Sequence, residues 1–137
     1  MDYVDTDILI QEHEGRMLQE ILDGEGVERF LEVEEVIVSG LQVVNSIIST
    51  GGSVIYSDKA MNTLKQNGQI IYLHVPYEEI KQRLTNISSR GIVIMKGHSL
   101  QEVYDERVPL YIKYNDAILD KEIEQCISEI IGIRELE

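Results

Sequence analysis

Short apolar and β-branched runs alternate along this chain with segments of helical periodicity, and this alternation limits the folds open to it. Each run is too short for a helix and stops at a polar, glycine or proline residue, as buried strands do. Strands joined through helices pair in parallel, because the helix carries the chain back along the sheet. We therefore predict one α/β domain over residues 1–137, a parallel sheet flanked by helices, with strands at 3–5, 46–50, 70–75 and 116–119.

The helices between these strands are predicted from apolar residues at three- and four-residue spacing. Gly24 and Gly26 separate two such segments. Pro76 begins another, and Ser99-Leu100-Gln101-Glu102 has the form of a capping box. The predicted helices lie at 8–15, 17–22, 27–41, 59–66, from 76 onward, at 99–114 and around 123–131.

Charge and composition exclude several classes of function. The chain has 25 acidic and 12 basic residues, a formal net charge of -13, whereas nucleic acid and anionic membrane surfaces need a basic face. Cys126 is the only cysteine, which excludes an internal disulfide and a multi-cysteine zinc site. No apolar run reaches the roughly 20 residues of a membrane span, and the acidic N-terminus lacks a signal-peptide layout. We expect a cytoplasmic protein that binds neither nucleic acid nor membrane.

The charge is unevenly distributed along the chain. Residues 1–35 hold 12 acids and two bases, while residues 59–113 hold 8 bases and 5 acids. This difference fits a local basic pocket in an acidic protein, and it fits equally well two solvated faces of different charge.

Asp5-Thr6-Asp7 follows the first predicted strand, at the edge of a parallel sheet where ligands bind. Two carboxylates at this spacing can have different roles: one can interact with a metal-bound water and the other with a substrate hydroxyl. The alternative is that Asp7 only caps the following helix.

Thr50-Gly51-Gly52-Ser53 follows the second predicted strand, where glycines let a small ligand approach the backbone. The alternative is an ordinary strand-to-helix turn.

Arg90 and Arg107 can bind a carboxylate or phosphate through two parallel hydrogen bonds, or can belong to surface salt bridges. The three histidines have no metal-ligand spacing.

Taken in order, these motifs resemble the shikimate kinase family from Tyr3 to about Leu119. The resemblance rests on Asp5-Thr6-Asp7, a Gly-Glu-Gly patch at 24–26, Phe30 with Glu34, the Gly51-Gly52 strand end and Arg107-Val108-Pro109-Leu110-Tyr111. It implies the P-loop kinase fold, similar to nucleoside monophosphate kinases, and ATP-dependent phosphorylation of a hydroxyl on a small carboxylated acceptor such as shikimate.

The resemblance also assigns roles to individual residues. Asp5 corresponds to a position that holds the magnesium shell, and Asp7 to one that orients or deprotonates the acceptor hydroxyl. Glu34, Gly51, Gly52 and Arg107 correspond to acceptor-binding positions, Arg107 holding the carboxylate. Arg90 corresponds to a catalytic, phosphate-binding arginine on a lid, here about 87–98.

Four departures from the family pattern change these expectations. Leu31 stands where the family has a second carboxylate-binding arginine, Ser53 replaces a third glycine, and Gly91 replaces a proline. The chain also contains no G-x-x-x-x-G-K-S/T loop, whose backbone and lysine hold the phosphates. The family uses ATP and Mg²⁺, but we expect this chain, as printed, neither to bind ATP tightly nor to transfer phosphate. The alternatives are a non-catalytic ligand-binding or protein-interaction module, and a fragment without activity of its own.

The same resemblance leads to an expectation about the sheet. In such kinases the strand before the P-loop lies between the strands that correspond to 46–50 and 70–75. We expect these two strands not to pair directly here, and the gap to lead to association with a second copy or to a marginal fold.

Overall fold

The computed structural model of the chain describes residues 1–86 and 98–120. Nearly all of the expected lid, including Arg90 and Gly91, lies outside the described residues, and so does the expected last helix with Cys126. None of the helices within the two described ranges combines the length and the apolar composition of a membrane span.

Strand β1, Asp2–Asp5, runs directly into helix α1, Thr6–Glu14. Asp5 marks the boundary, because its carboxylate accepts a hydrogen bond from the backbone N–H of Asp7 at 2.9 Å and so caps the helix. The helix ends at Gly15, whose φ of 66° is left-handed and whose N–H donates to the carbonyl of Gln11. Local sequence therefore sets both ends of α1.

Helix α2, Leu18–Ser39, is bent at Gly26, where φ is 87° and ψ is 174°. Only glycine adopts this backbone conformation without strain. The predicted break between two helices is confirmed at this residue. The bend lets residues from both parts of α2 enter one core cluster, Ile21 from the first part and Phe30 and Val33 from the second.

The rest of the described chain alternates strands and helices as predicted. Ser57 caps α3 through its hydroxyl, and Ser99 caps α5 by accepting from the N–H of Glu102. The elements are β2 (Ser46–Ser49), a 3-10 helix (Gly52–Tyr56), α3 (Asp58–Asn67), β3 (Ile71–Leu73), α4 (Tyr77–Asn86), α5 (Leu100–Tyr114) and β4 (Ala117–Leu119).

The strands form two separate parallel pairs within the described residues, not the one sheet predicted. β1 pairs with β2, Asp5 lying opposite Ser49, and β3 pairs with β4, Leu73 lying opposite Leu119. Strand β3 is shorter than the predicted 70–75, although the Ile70 carbonyl and the His74 N–H still make backbone hydrogen bonds towards β4. As expected from the resemblance, β2 and β3 are not hydrogen-bonded to each other.

A cleft of about 1050 Å³ separates the two pairs of strands, and residues of β2 and β3 line it together with the start of the 3-10 helix and part of α5. Apolar side chains on both sides are partly exposed, with Ile47 of β2 at 42% and Leu73 of β3 at 55%. The cleft therefore has the character of an uncovered core, with strand backbone on both walls.

Two core clusters lie beside the strands and share α2. One contains Ile10, Ile21, Phe30 and Val33, and joins α1 to α2. The other joins α2 to the 3-10 helix, α3 and α5, and contains Val38, Val54, Ile55, Ala60, Met61 and Tyr114. Helix α2 thus supports both halves of the protein.

The bend in α2 gives a direct test of the local backbone argument. We expect Gly26→Ala to lower the free energy of unfolding by about 1–3 kcal/mol, because alanine is strained at this φ and ψ. The matched control is Gly24→Ala, two residues earlier, where an added Cβ meets only an ordinary 3.7 Å contact. Alanine there should stabilise the helix by about 0.4–1 kcal/mol. Equal effects in urea unfolding would contradict the assignment of the bend to Gly26.

Candidate functional site

The candidate site forms where β1 and β2 end side by side. Because these strands are parallel and in register up to Asp5 and Ser49, the segments that follow them meet at one edge. The segment after β1 is Thr6-Asp7, and the segment after β2 is the Gly51-Gly52 turn that opens the 3-10 helix. The two motifs predicted from the sequence therefore lie together.

The two aspartates have different local roles. Asp5 caps α1, so the capping role considered for Asp7 belongs to Asp5 instead. The carboxylate of Asp7 lies against Gly51, since a Cβ built on Gly51 would be 2.8 Å from Oδ1 and 3.4 Å from Oδ2 of Asp7. A glycine is required at position 51 for Asp7 to occupy this place.

Gly52 allows a second close approach, this time from α5. A Cβ built there would be 2.7 Å from the Tyr111 hydroxyl and 3.1 Å from Nη1 of Arg107. Arg107 and Tyr111 are four residues apart and so lie on the same face of α5. The two glycines together bring an acid, a guanidinium and a phenol to one turn.

Arg107 and Tyr111 are held by neighbouring groups. Nε of Arg107 donates to the hydroxyl of Tyr56 at 3.3 Å, and the guanidinium lies 5.3 Å from the centre of that ring. Burial raises the pKa of Tyr111, so its phenol keeps its proton and donates to the carbonyl of Gly52 at 2.9 Å. Arg107, Gly51 and Gly52 also line the cleft, which makes the guanidinium accessible to a ligand there.

Glu34 lies behind the turn and does not line the cleft. It is 1% exposed, and the hydroxyl of Ser53 lies 2.8 Å and 3.0 Å from its two carboxyl oxygens. Burial raises the pKa of Glu34 to about 7, with a smaller contribution from Asp7, while the Ser53 hydrogen bond and Arg107 act in the opposite direction.

The structure brings together six of the seven residues predicted from the sequence: Asp5, Asp7, Glu34, Gly51, Gly52 and Arg107. Arg90 lies outside the described residues. Tyr56 was not among the residues predicted from the sequence, and Tyr111 was predicted only as part of a motif. The spacing of four residues between Arg107 and Tyr111 on one helix was the signal that could have identified the phenol.

The described residues form no metal site built from protein ligands alone, and the sequence has no phosphate-binding loop motif. Within 1–86 and 98–120 there is no group of three or more His, Cys, Asp or Glu side chains that could hold a metal ion. One carboxylate oxygen of Asp5 is already used to cap α1, and the sequence contains no P-loop motif. What the site can do by itself is bind an anion at Arg107 and accept a hydrogen bond from a ligand hydroxyl at Asp7.

Comparison with known proteins gives a consistent result. A family profile described as shikimate kinase matches residues 1–133. The shikimate kinase of Clostridium botulinum (strain 657 / Type Ba4) is 32% identical over 134 residues, which are 95% of this chain and 79% of that protein. The shikimate kinase of Caldanaerobacter subterraneus subsp. tengcongensis is 28% identical over 135 residues, with the same coverage.

Solved structures agree on the fold. The shikimate kinase from Acinetobacter baumannii in complex with shikimate matches with a TM-score of 0.81 and 23% identity, covering 99% of this chain and 81% of that one. The shikimate kinase from Aquifex aeolicus matches with a TM-score of 0.77 and 24% identity, covering 98% of this chain and 82% of that one. These likenesses show the P-loop kinase fold.

The close approach at Gly52 can be tested without a ligand. We expect Gly52→Ala to displace the Tyr111 hydroxyl, lose its hydrogen bond to the turn and lower the free energy of unfolding by about 1 kcal/mol. The Tyr111 ring resonances should move as well. Gly68→Ala is the control, because its backbone is extended and an added Cβ meets nothing closer than 3.9 Å. Unchanged Tyr111 resonances in Gly52→Ala would contradict the geometry.

Proposed function

The chain belongs to the shikimate kinase family, and on that premise we propose that its described part is the acceptor-binding part of a shikimate-kinase-like phosphotransferase. The observation that carries the proposal is the convergence of Asp7 and Arg107 on the Gly51-Gly52 turn at the edge of the cleft. A carboxylate and a guanidinium beside adjacent glycines of one turn suit a small metabolite that carries both an anionic group and hydroxyls.

Each residue has a role in the proposed binding mode. Arg107 binds the anionic group, with Tyr56 limiting the directions in which the guanidinium can point. Asp7 accepts a hydrogen bond from an acceptor hydroxyl and orients it. Gly51 and Gly52 let the acceptor approach the backbone, and the resemblance assigns the phosphates to Arg90, which lies outside the described residues. The solved relative from A. baumannii is in complex with shikimate, which makes shikimate the first probe to use.

We propose further that the chain as printed does not transfer phosphate. Phosphoryl transfer depends almost wholly on positioning and on neutralising the charge of the phosphates. ATP and Mg²⁺ supply the phosphoryl group and that neutralisation in the family, but the loop motif that holds them does not occur in this sequence.

The alternative is a non-catalytic module that binds a small molecule or a protein on the kinase scaffold. The absence of the loop motif favours it, and so does Leu31 in place of an arginine. An assay for phosphate transfer from ATP to shikimate distinguishes the two: measurable turnover by the chain as printed would reject both the alternative and the proposed inactivity.

Leu31 gives the sharpest test of the acceptor site. We expect shikimate to bind the natural chain weakly, because Arg107 is the only arginine matched to its carboxylate. Leu31→Arg, one turn before Glu34 on α2, should restore the second contact and tighten binding roughly 10- to 100-fold, the equivalent of one charge-assisted hydrogen bond. The measurement is the dissociation constant from calorimetry or from shifts of the Gly51 and Gly52 amide resonances.

Two controls accompany this experiment. Leu31→Gln adds a polar side chain without charge and should not tighten binding. Arg107→Met should abolish binding, whereas Arg83→Met removes a half-exposed arginine that pairs with Glu79 on α4 and should leave it unchanged. Micromolar affinity of the natural chain for shikimate would contradict the proposed binding mode. So would an affinity for shikimate that Leu31→Arg does not increase.

We also propose that a second copy of the chain covers the cleft. Only another strand can pair the backbone edges of β2 and β3 that face it, and Ile47 and Leu73 offer apolar surface beside those edges. The net charge of -13 opposes self-association, so screening of this charge by salt should favour association.

We expect light scattering after size exclusion to show a dimer fraction that rises with protein concentration and with salt from about 0.05 M to about 0.5 M. Leu73→Lys should lower that fraction, because it puts a charge on the cleft wall. The control is Val36→Lys, which changes a residue of α2 that is 65% exposed and lies outside the cleft. This substitution should not lower the dimer fraction. A monomer under all conditions, or equal effects of the two variants, would reject the proposal.

A further inference from the structure

The side of the cleft formed by β3 and α5 carries three tyrosine rings. Tyr72 of β3 and Tyr104 and Tyr111 of α5 all line the cleft, and all three are half-buried. The rings of Tyr72 and Tyr111 pack together, with their centres 5.0 Å apart and their planes tilted by 33°. Tyr104 and Tyr111 are seven residues apart on α5 and so lie on one face of the helix. We call these three residues the tyrosine wall.

The hydroxyls of the tyrosine wall are bound to protein groups. Each has a hydrogen-bonding partner: the Val75 carbonyl for Tyr104 at 2.9 Å, the Gly52 carbonyl for Tyr111 at 2.9 Å, and Nδ1 of His74 for Tyr72 at 2.8 Å. Because these contacts hold the rings in place, a ligand that packs on them costs little side-chain entropy. Burial raises the pKa of Tyr72 to about 12, so its ring carries no charge that would repel an anion. What the wall offers to the cleft is therefore uncharged aromatic surface.

Arg107 adds a single positive charge to this surface. It lies three residues after Tyr104 and four before Tyr111, on the same face of α5. Among the described residues that line the cleft, Arg107 is the only one with a charged side chain. Apolar residues of α5, Leu100 and Val103, line the cleft as well. A ligand at this place meets one cation, aromatic rings and apolar side chains, which suits a flat apolar body with one anionic group.

We propose that this end of the cleft is a subsite for an aromatic carboxylate: the aromatic ring packs on the tyrosine wall while Arg107 binds the carboxylate. The proposal rests on the proposed function in one respect, that an anion binds at Arg107. It narrows the ligand class from small hydroxylated acids in general to those whose ring is flat and aromatic. Aromatic rings attract each other in offset or edge-on arrangements, and a puckered ring cannot make the same contacts.

The size of the cleft and the sequence both leave room for this ligand. The cleft measures about 1050 Å³, whereas pockets for whole drug-sized molecules measure about 300–1,000 Å³. A single-ring acid beside α5 and the Gly51-Gly52 turn therefore leaves the space between β2 and β3 open to a strand of a second copy. Packing on the tyrosine wall also supplies affinity that the contact missing at Leu31 does not.

The experiment compares gallate with shikimate. Both acids carry one carboxylate and three adjacent hydroxyls on a six-membered ring, but only the ring of gallate is aromatic and flat. We expect the dissociation constant of the natural chain, measured by calorimetry, to be roughly 3- to 10-fold lower for gallate than for shikimate. Pyrogallol, the same aromatic ring without the carboxylate, should bind at least roughly tenfold more weakly than gallate. Gallate binding no tighter than shikimate would overturn the proposal.

Substitutions in the tyrosine wall test where this preference arises. Tyr72→Leu and Tyr104→Leu should each remove most of the preference for gallate, whereas Tyr72→Phe and Tyr104→Phe should keep it, because phenylalanine retains the ring. The measured quantity is the ratio of the two dissociation constants, since a general loss of structure would weaken both acids alike. The control is Tyr3→Leu, which changes an exposed tyrosine of β1 on the other side of the cleft and should leave the ratio unchanged. A ratio that neither leucine variant of the wall alters would also overturn the proposal.

A measurement on the natural chain covers the case in which the leucine variants do not fold. We expect nuclear Overhauser effects between the ring protons of bound gallate and those of Tyr72 or Tyr104. Bound gallate without such effects would overturn the proposal.

The outcomes separate this proposal from the proposed function. If both acids bind equally and Arg107→Met abolishes both, the aromatic subsite is rejected while the proposed acceptor site stands. If gallate alone binds, and Arg107→Met abolishes it, the aromatic subsite is supported and shikimate is rejected as the acceptor. If neither acid binds, or if Arg107→Met weakens neither, both proposals are rejected.

Discussion

The hydrogen bonds between Ser53 and the buried carboxyl of Glu34 join the start of the 3-10 helix to α2 between the two core clusters. Glu34 follows Val33 of one core cluster, and Ser53 precedes Val54 of the other. The turn that carries Gly51 and Gly52 is anchored at this point to α2. Because Asp7, Arg107 and Tyr111 all pack against that turn, the geometry of the candidate site depends on where the anchor holds it.

The cleft between β2 and β3 is the second feature that the fold is arranged around. Both strands pair on one side only within the described residues, and Arg107 faces the same space from α5. The candidate site and the strand edges that face the cleft are therefore neighbours. Whatever covers the cleft would border the ligand, which connects the association we propose with the binding we propose.

Much of the local structure could be predicted because it depends on short-range rules. The left-handed turn at Gly15, the bend at Gly26 and the serine cap of α5 follow from residues within a few positions of each other. The parallel register of β1 and β2 then made the meeting of Asp7 and Gly51 predictable from topology. The extent of β3 could not be predicted in the same way, since its pairing depends on a partner strand more than forty residues away in the chain.

The sequence by itself determined the fold class, the family and the residue types at the site, because hydrophobic periodicity, glycine positions and ordered motifs are properties of the chain alone. It could not determine which aspartate caps α1, that Arg107 donates a hydrogen bond to Tyr56, or that Glu34 is buried and paired with Ser53. Those facts depend on distances between residues far apart in the chain and on burial. The charge state of a carboxyl, in particular, follows from the dielectric and the charges around it, and only the folded structure supplies both.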